Sequence, residues 1–108
     1  MSLSGTVLET VALYKKGYYP YQMAKARGLG IGTIFEHLTM WYATGGDLDI
    51  NKFVSTLEQS QIIRAIAEAG GIQKLSPIKE RLPEEISYDK IKLVAAKIRR
   101  NSQKMAKK

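Results

Sequence analysis

Apolar residues recur at helical spacing along most of the chain, and glycine or proline interrupts the pattern wherever one helix would give way to the next. Val7, Leu8, Val11, Ala12 and Leu13 predict a first amphipathic helix. Ser4 is its expected N-cap, Lys15 and Lys16 fall in its last turn, and Gly17 ends it. In the following Tyr18-Tyr19-Pro20-Tyr21, Pro20 biases Tyr19 away from helix and opens the next one. These tyrosines are read as edging a small core, with stacking on bases as the alternative.

The stretch from Tyr21 to Tyr42 predicts two short helices joined by a glycine turn. Met23 and Ala24 begin its buried side, and Gly28 stands where a tight inter-helix turn needs positive φ. Leu29, Ile34, Leu38 and Trp41 continue the buried stripe, which leaves Gly30, Ile31, Gly32, Thr33, Phe35, Glu36 and Thr39 nearer the outer face. This spacing is that of a helix-turn-helix over about residues 20–43, ended by Thr44-Gly45-Gly46.

Beyond it, the alternation in Asp47-Leu48-Asp49-Ile50-Asn51 permits a very short extended piece, with Asp49 or Asn51 capping a helical turn at Phe53 and Val54. Ser55 with Glu58 and Thr56 with Gln59 form two overlapping capping boxes. They predict a helix with Leu57, Ile62, Ile63, Ile66 and Ala69 inward and Gly70-Gly71 as its stop. Ser76-Pro77 restarts a short helix with Ile78 and Leu82 inward until Pro83. Ser87 caps the last helix, with Asp89 in its first turn and Tyr88, Ile91, Val94, Ala95 and Ile98 as its stripe. The expected fold is all-α: a helix-turn-helix followed by a small helical bundle, about five to six helices and at most one very short strand pair.

Composition narrows this further. A chain of 108 residues, 44% hydrophobic, is expected to bury one core, so residues 4–98 are read as a single domain and 99–108 as a basic tail. Met1, Ser2 and Leu3 are read as expression-derived. A net charge of +7 favours a polyanionic partner without choosing among nucleic acid, acidic protein and membrane surface. The chain has no cysteine, hence no disulfide and no thiolate chemistry, which fits a reducing cytoplasm. It has no apolar run near the ~18 residues of a membrane span and no secretory pattern at its start, so a soluble, cytoplasmic protein is expected.

Candidate chemistry is sparse. Gly28, Gly30 and Gly32 lack the Gly-Lys-Ser/Thr of a phosphate-binding loop and read as turn residues. His37, the only histidine, has no nucleophile, orienting carboxylate or second ligand at useful spacing and reads as packed or capping. Asp47, Asp49, Asn51, Ser55 and Glu58 mimic a calcium loop, but Lys52 stands where that loop needs glycine, so capping and helix-surface roles are preferred. Glu84 and Glu85 are adjacent, point apart on a helix, and suit its N-terminal dipole rather than acid/base work. From Lys92 onward come Lys92, Lys97, Arg99, Arg100, Lys104, Lys107 and Lys108 with no acidic residue, either a solvated helix face or a phosphate-contacting one.

Met23-Ala24, Arg27-Gly28-Leu29, Thr33-Ile34 and His37-Leu38, followed by Ile78-Lys79-Glu80, Leu82-Pro83-Glu84-Glu85-Ile86-Ser87-Tyr88 and Ile91-Lys92-Leu93-Val94, carry a family resemblance. Together they resemble the C-terminal helix-turn-helix domain of bacterial RecQ-type ATP-dependent DNA helicases, over about Gly5 to Ala96. The first half also looks like the LuxR-type response-regulator motif; the second half does not.

The resemblance implies a non-catalytic accessory module in cis to a helicase motor, serving DNA repair or recombination in a bacterial nucleoid. ATP and magnesium would belong to that motor, and this chain would hold no cofactor, metal, membrane or small-molecule substrate. Its partner would be DNA, bound weakly and with little sequence preference. In that role Thr33, Glu36, His37 and Thr39 lie on or beside the groove face, Lys15, Lys16, Lys25 and Arg27 on the flanking backbone, and Lys97, Arg99, Arg100 and Lys104 on the basic C-terminal helix.

One feature opposes groove reading. Between Gly28 and Asn51 there is no Lys or Arg, and Glu36, Asp47 and Asp49 make the segment negative. The alternatives are a helical interaction module packing on the motor, and a small LuxR-like transcription regulator.

Overall fold

The computed structural model describes residues 3–106, with side chains as far as Gln103. Among these residues all regular structure is helical. The six α-helices are α1 Gly5–Lys15, α2 Pro20–Arg27, α3 Ile31–Ala43, α4 Thr56–Ala69, α5 Ser76–Glu80 and α6 Tyr88–Ala106, with a 3-10 turn at Ile50–Lys52. The all-α expectation holds, and the short extended piece near Asp47 does not form. The chain divides into two compact units, the first ending at Leu48 and the second beginning at Asp49.

In the first unit α1, α2 and α3 pack against one another. Val7, Val11, Met23, Ile34 and Leu38 are buried between them. Leu8, expected inward, is 51% exposed. The sequence offers two overlapping i, i+4 stripes, Val7/Val11 and Leu8/Ala12, and the helix buries the first. Gly28 closes α2 with φ +65, and Leu29 N–H reaches back to Ala24 C=O at 3.0 Å. A Cβ is unfavourable in that left-handed conformation, so a glycine is needed there. Trp41 is half-buried rather than central: Tyr14 meets its ring edge-on at 5.7 Å, and the Lys15 ammonium lies 5.7 Å from the ring centroid.

In the second unit, Asp49 accepts the Asn51 N–H and caps the 3-10 turn. Ser55 Oγ accepts the Glu58 N–H at 3.1 Å while Glu58 Oε1 accepts the Ser55 N–H at 3.1 Å, so the first expected capping box opens α4. The second does not form. Gln59 is instead buried, donating to Asn51 Oδ1 and Val54 C=O and accepting from Lys97 Nζ. Ile62, Ala65 and Ile66 face inward on α4, whereas Leu57 and Ile63, expected there, are exposed. On α6 Ile91, Leu93, Val94, Ala95 and Ala96 are all buried, and Tyr88 lies outside the stripe expected to hold it. The helix runs through Ala106 because residues 99–106 contain no glycine or proline, so most of the expected tail is helical.

Candidate nucleic-acid interface

A polar knot fixes the geometry of the first unit. Arg27, at the end of α2, reaches α1 with both terminal guanidinium nitrogens: Nη1 donates to Thr6 C=O and Thr10 Oγ1, Nη2 to Thr6 Oγ1 and, at 3.1 Å, to Glu9 Oε2. Thr6, Glu9 and Thr10 share one face of α1, and a planar fork engages several acceptors at once. Thr10, fully buried, is also hydrogen-bonded to His37 Nδ1 on α3 at 2.8 Å. A neutral His37 suits that bond with its proton on either ring nitrogen, because the hydroxyl can donate or accept. Burial first, and the Arg27 charge second, lower its pKa, against a smaller upward pull from Glu36.

This corrects two sequence expectations. His37 is 7% exposed and faces the core, not the groove side, as the packed-histidine reading holds. Arg27, expected beside a phosphate, has a side chain 13% exposed and satisfied by α1. The signal was present in Thr6, Glu9 and Thr10, although nothing local names Arg27 as their partner.

The remaining expected contacts of this unit lie outward. Lys16, Lys25, Thr33 and Glu36 are exposed, Lys15 is exposed beside Trp41, and Thr39 is half-buried. The line Gly32, Glu36, Thr39 and Ala43 runs along α3 opposite buried Ile34 and Leu38, and its one charge is negative. No cation on α3 neutralises a phosphate.

Charge gathers in the second unit instead. Up to Leu48, Lys15, Lys16, Lys25 and Arg27 face Glu9, Glu36 and Asp47, so the first unit carries +1 of the total +7. Four of the cations of α6 fall into two rows, each with a seven-residue spacing. Lys90 and Lys97 turn toward α4, with Lys90 Nζ 2.8 Å from Glu58 Oε2 and Lys97 Nζ 2.8 Å from Gln59 Oε1. Lys92 and Arg99 are exposed. Lys97, expected at a phosphate, is thus half-buried and hydrogen-bonded within the unit, and Arg100 is also half-buried. Lys104 lies on α6, but its side chain falls outside the described residues, as do Lys107 and Lys108. Among the described residues no cluster of metal-ligating side chains occurs, and no helix is long and apolar enough to cross a membrane.

Two short helices meeting at a left-handed glycine, steadied by a third, define a helix-turn-helix. A family model described as a helix-turn-helix domain matches residues 6–95, and the chain belongs to that family. No curated protein and no solved structure matches it.

Proposed function

We propose that this chain is a non-catalytic DNA-associating module that holds phosphates rather than reading bases, carried at the C-terminus of a RecQ-type ATP-dependent DNA helicase. Membership of the helix-turn-helix family is compatible with DNA binding, and the resemblance of residues 78–94 supports the helicase parent. The observation that carries the phosphate reading is the placement of charge. The outward line of α3 has no cation, whereas exposed Lys92 and Arg99 share a row on α6 in a unit holding most of the net charge. Such a module binds weakly, salt-sensitively and with little sequence preference, and it positions the motor on DNA.

The test is binding of the whole chain to duplex and forked DNA across a salt series. Lys92→Glu/Arg99→Glu is expected to flatten the dependence of log K on log salt by roughly 0.9 per lost phosphate contact. Thr33→Ala is expected to change neither affinity nor sequence preference. No binding at low salt, or a strong effect of Thr33→Ala, overturns the proposal.

A second reading follows from α3, where half-exposed Ile31 flanks the cation-free line. There the helix packs on the motor domain, and Ile31→Asp would weaken that association without changing DNA binding.

A further inference from the structure

Three tyrosines expected at the edge of the core are outside it. Tyr19 and Tyr21 are each 65% exposed and Tyr18 40%. Tyr18 and Tyr19 lie in the link between α1 and α2, and Tyr21 follows Pro20 in the first turn of α2, all within about 11 Å of chain. The link is stiff. Gly17 N–H bonds to Tyr14 C=O at 2.9 Å, Tyr18 N–H to Leu13 C=O at 3.2 Å, and Tyr19 N–H to Gln22 Oε1 at 2.8 Å. Pro20 fixes its own φ and has no N–H to satisfy. Exposed aromatic rings on a backbone with its donors already engaged lose little further freedom when something covers them.

The surroundings say what covers them. From Lys15 to Arg27 the sequence has cations and no acidic residue; of these cations Arg27 is turned into the polar knot, while Lys16 and Lys25, which precede and follow the tyrosines in the sequence, are exposed. Exposed aromatic rings in a segment whose exposed charges are all cationic suit a ligand of flat rings on an anionic backbone. Paired bases are stacked within a duplex and do not offer their faces; unpaired bases do.

We propose that Tyr18, Tyr19 and Tyr21, with Lys16 and Lys25, form a stacking platform for single-stranded DNA, separate from the phosphate-holding row on α6. The tyrosines take base faces, and the lysines take the phosphates between them. The choice of DNA as the polymer rests on the DNA-associating reading above; the stacking itself does not.

Binding of labelled oligothymidine and of a duplex to the whole chain, followed by fluorescence anisotropy, tests this. Tyr19→Ala/Tyr21→Ala is expected to weaken oligothymidine binding by about fivefold or more, since each stacked base contributes substantially. Duplex binding and the thermal melt are expected to stay unchanged. Tyr19→Phe/Tyr21→Phe keeps the rings and should bind as wild type, whereas Tyr19→Leu/Tyr21→Leu keeps apolar bulk without a π face and should behave as the alanine pair. Wild-type binding to duplex but not to oligothymidine overturns the platform and spares the phosphate reading. Tyrosine-dependent binding to oligothymidine without duplex binding does the reverse. An alanine pair that binds as wild type overturns the platform, and tighter binding to oligouridine of equal length overturns its assignment to DNA.

Discussion

Thr10 Oγ1 lies 2.8 Å from His37 Nδ1, and the same oxygen accepts an N–H of Arg27, so one buried hydroxyl joins all three helices of the first unit. It accepts from the guanidinium, and keeps its proton and a second lone pair for the imidazole. Thr10→Val keeps the shape and removes both, leaving the His37 nitrogen unpaired. The expected loss is about 1–3 kcal/mol, read as a lower melting temperature. Arg27→Lys should also destabilise, because an ammonium cannot span Thr6, Glu9 and Thr10 as the guanidinium fork does. An unchanged melt for both variants would mean that the knot contributes nothing.

His37 makes stability depend on pH in a defined direction. Its pKa in the folded protein lies below the ordinary 6.5, chiefly through burial. As pH falls below 6.5 the unfolded chain takes up the proton and the folded chain does not, so stability declines from there down to the folded value and is flat above. His37→Gln, which does not titrate, is expected to remove this decline. Glu58 acts in a separate window. The hydrogen bond from Lys90 holds its pKa below 4.5, so its stabilisation is present above that pH and lost as pH falls through the folded value. Denaturant melts of wild type and His37→Gln from neutral pH downward distinguish the two: the curves should diverge below 6.5 and share the steeper fall below 4.5.

Gly46 is a glycine for reasons of space. A Cβ built there would come within 2.4 Å of the Trp41 ring, closer than any relaxation of a rigid indole absorbs without moving the ring. Gly46→Ala should therefore displace Trp41 from its edge-on contact with Tyr14 and from Lys15. A cost of about 1–3 kcal/mol is expected. Trp41 is the chain's one tryptophan, so its emission reports the displacement directly. An unaltered spectrum with an unaltered melt would contradict the packing described.

The sequence is legible where a few neighbouring residues decide the structure. Gly28 at a left-handed turn, Pro20 opening α2, Ser55 with Glu58 opening α4 and Ser87 capping α6 all depend on partners within a few positions. Which of two apolar stripes a helix buries is decided by distant elements, so Leu8, Leu57, Ile63 and Tyr88 are exposed where local periodicity points them inward. Gln59 has the spacing of a cap, but its acceptors and donor converge from Asn51, Val54 and Lys97, the last far along the chain. The candidate site suffers most from this. Lys and Arg have the same formal charge whether they face solvent or a buried acceptor, so the sequence could not distinguish Arg27 and Lys97, held within their units, from Lys25 and Arg99, which are not buried.

The two rows on α6 turn that difference into a measurement. Lys90 and Lys97 bond to Glu58 and Gln59 on α4, so neutralising them removes contacts between helices. Gln59 would lose the donor to its buried Oε1, and Glu58 would lose its ammonium. Lys90→Met and Lys97→Met are thus expected to lower stability, by about 1–3 kcal/mol at Lys97 where a buried acceptor is left unpaired. For the exposed Lys92 and Arg99 the same change should leave the melt within about 0.5 kcal/mol. DNA affinity should sort the other way. Lys92→Met and Arg99→Met flatten the salt dependence, while Lys97→Met leaves its slope as in wild type wherever the protein is folded. Equal flattening by all four variants would show that the slope follows total charge alone and that the row facing α4 is as available to phosphate as the row facing solvent.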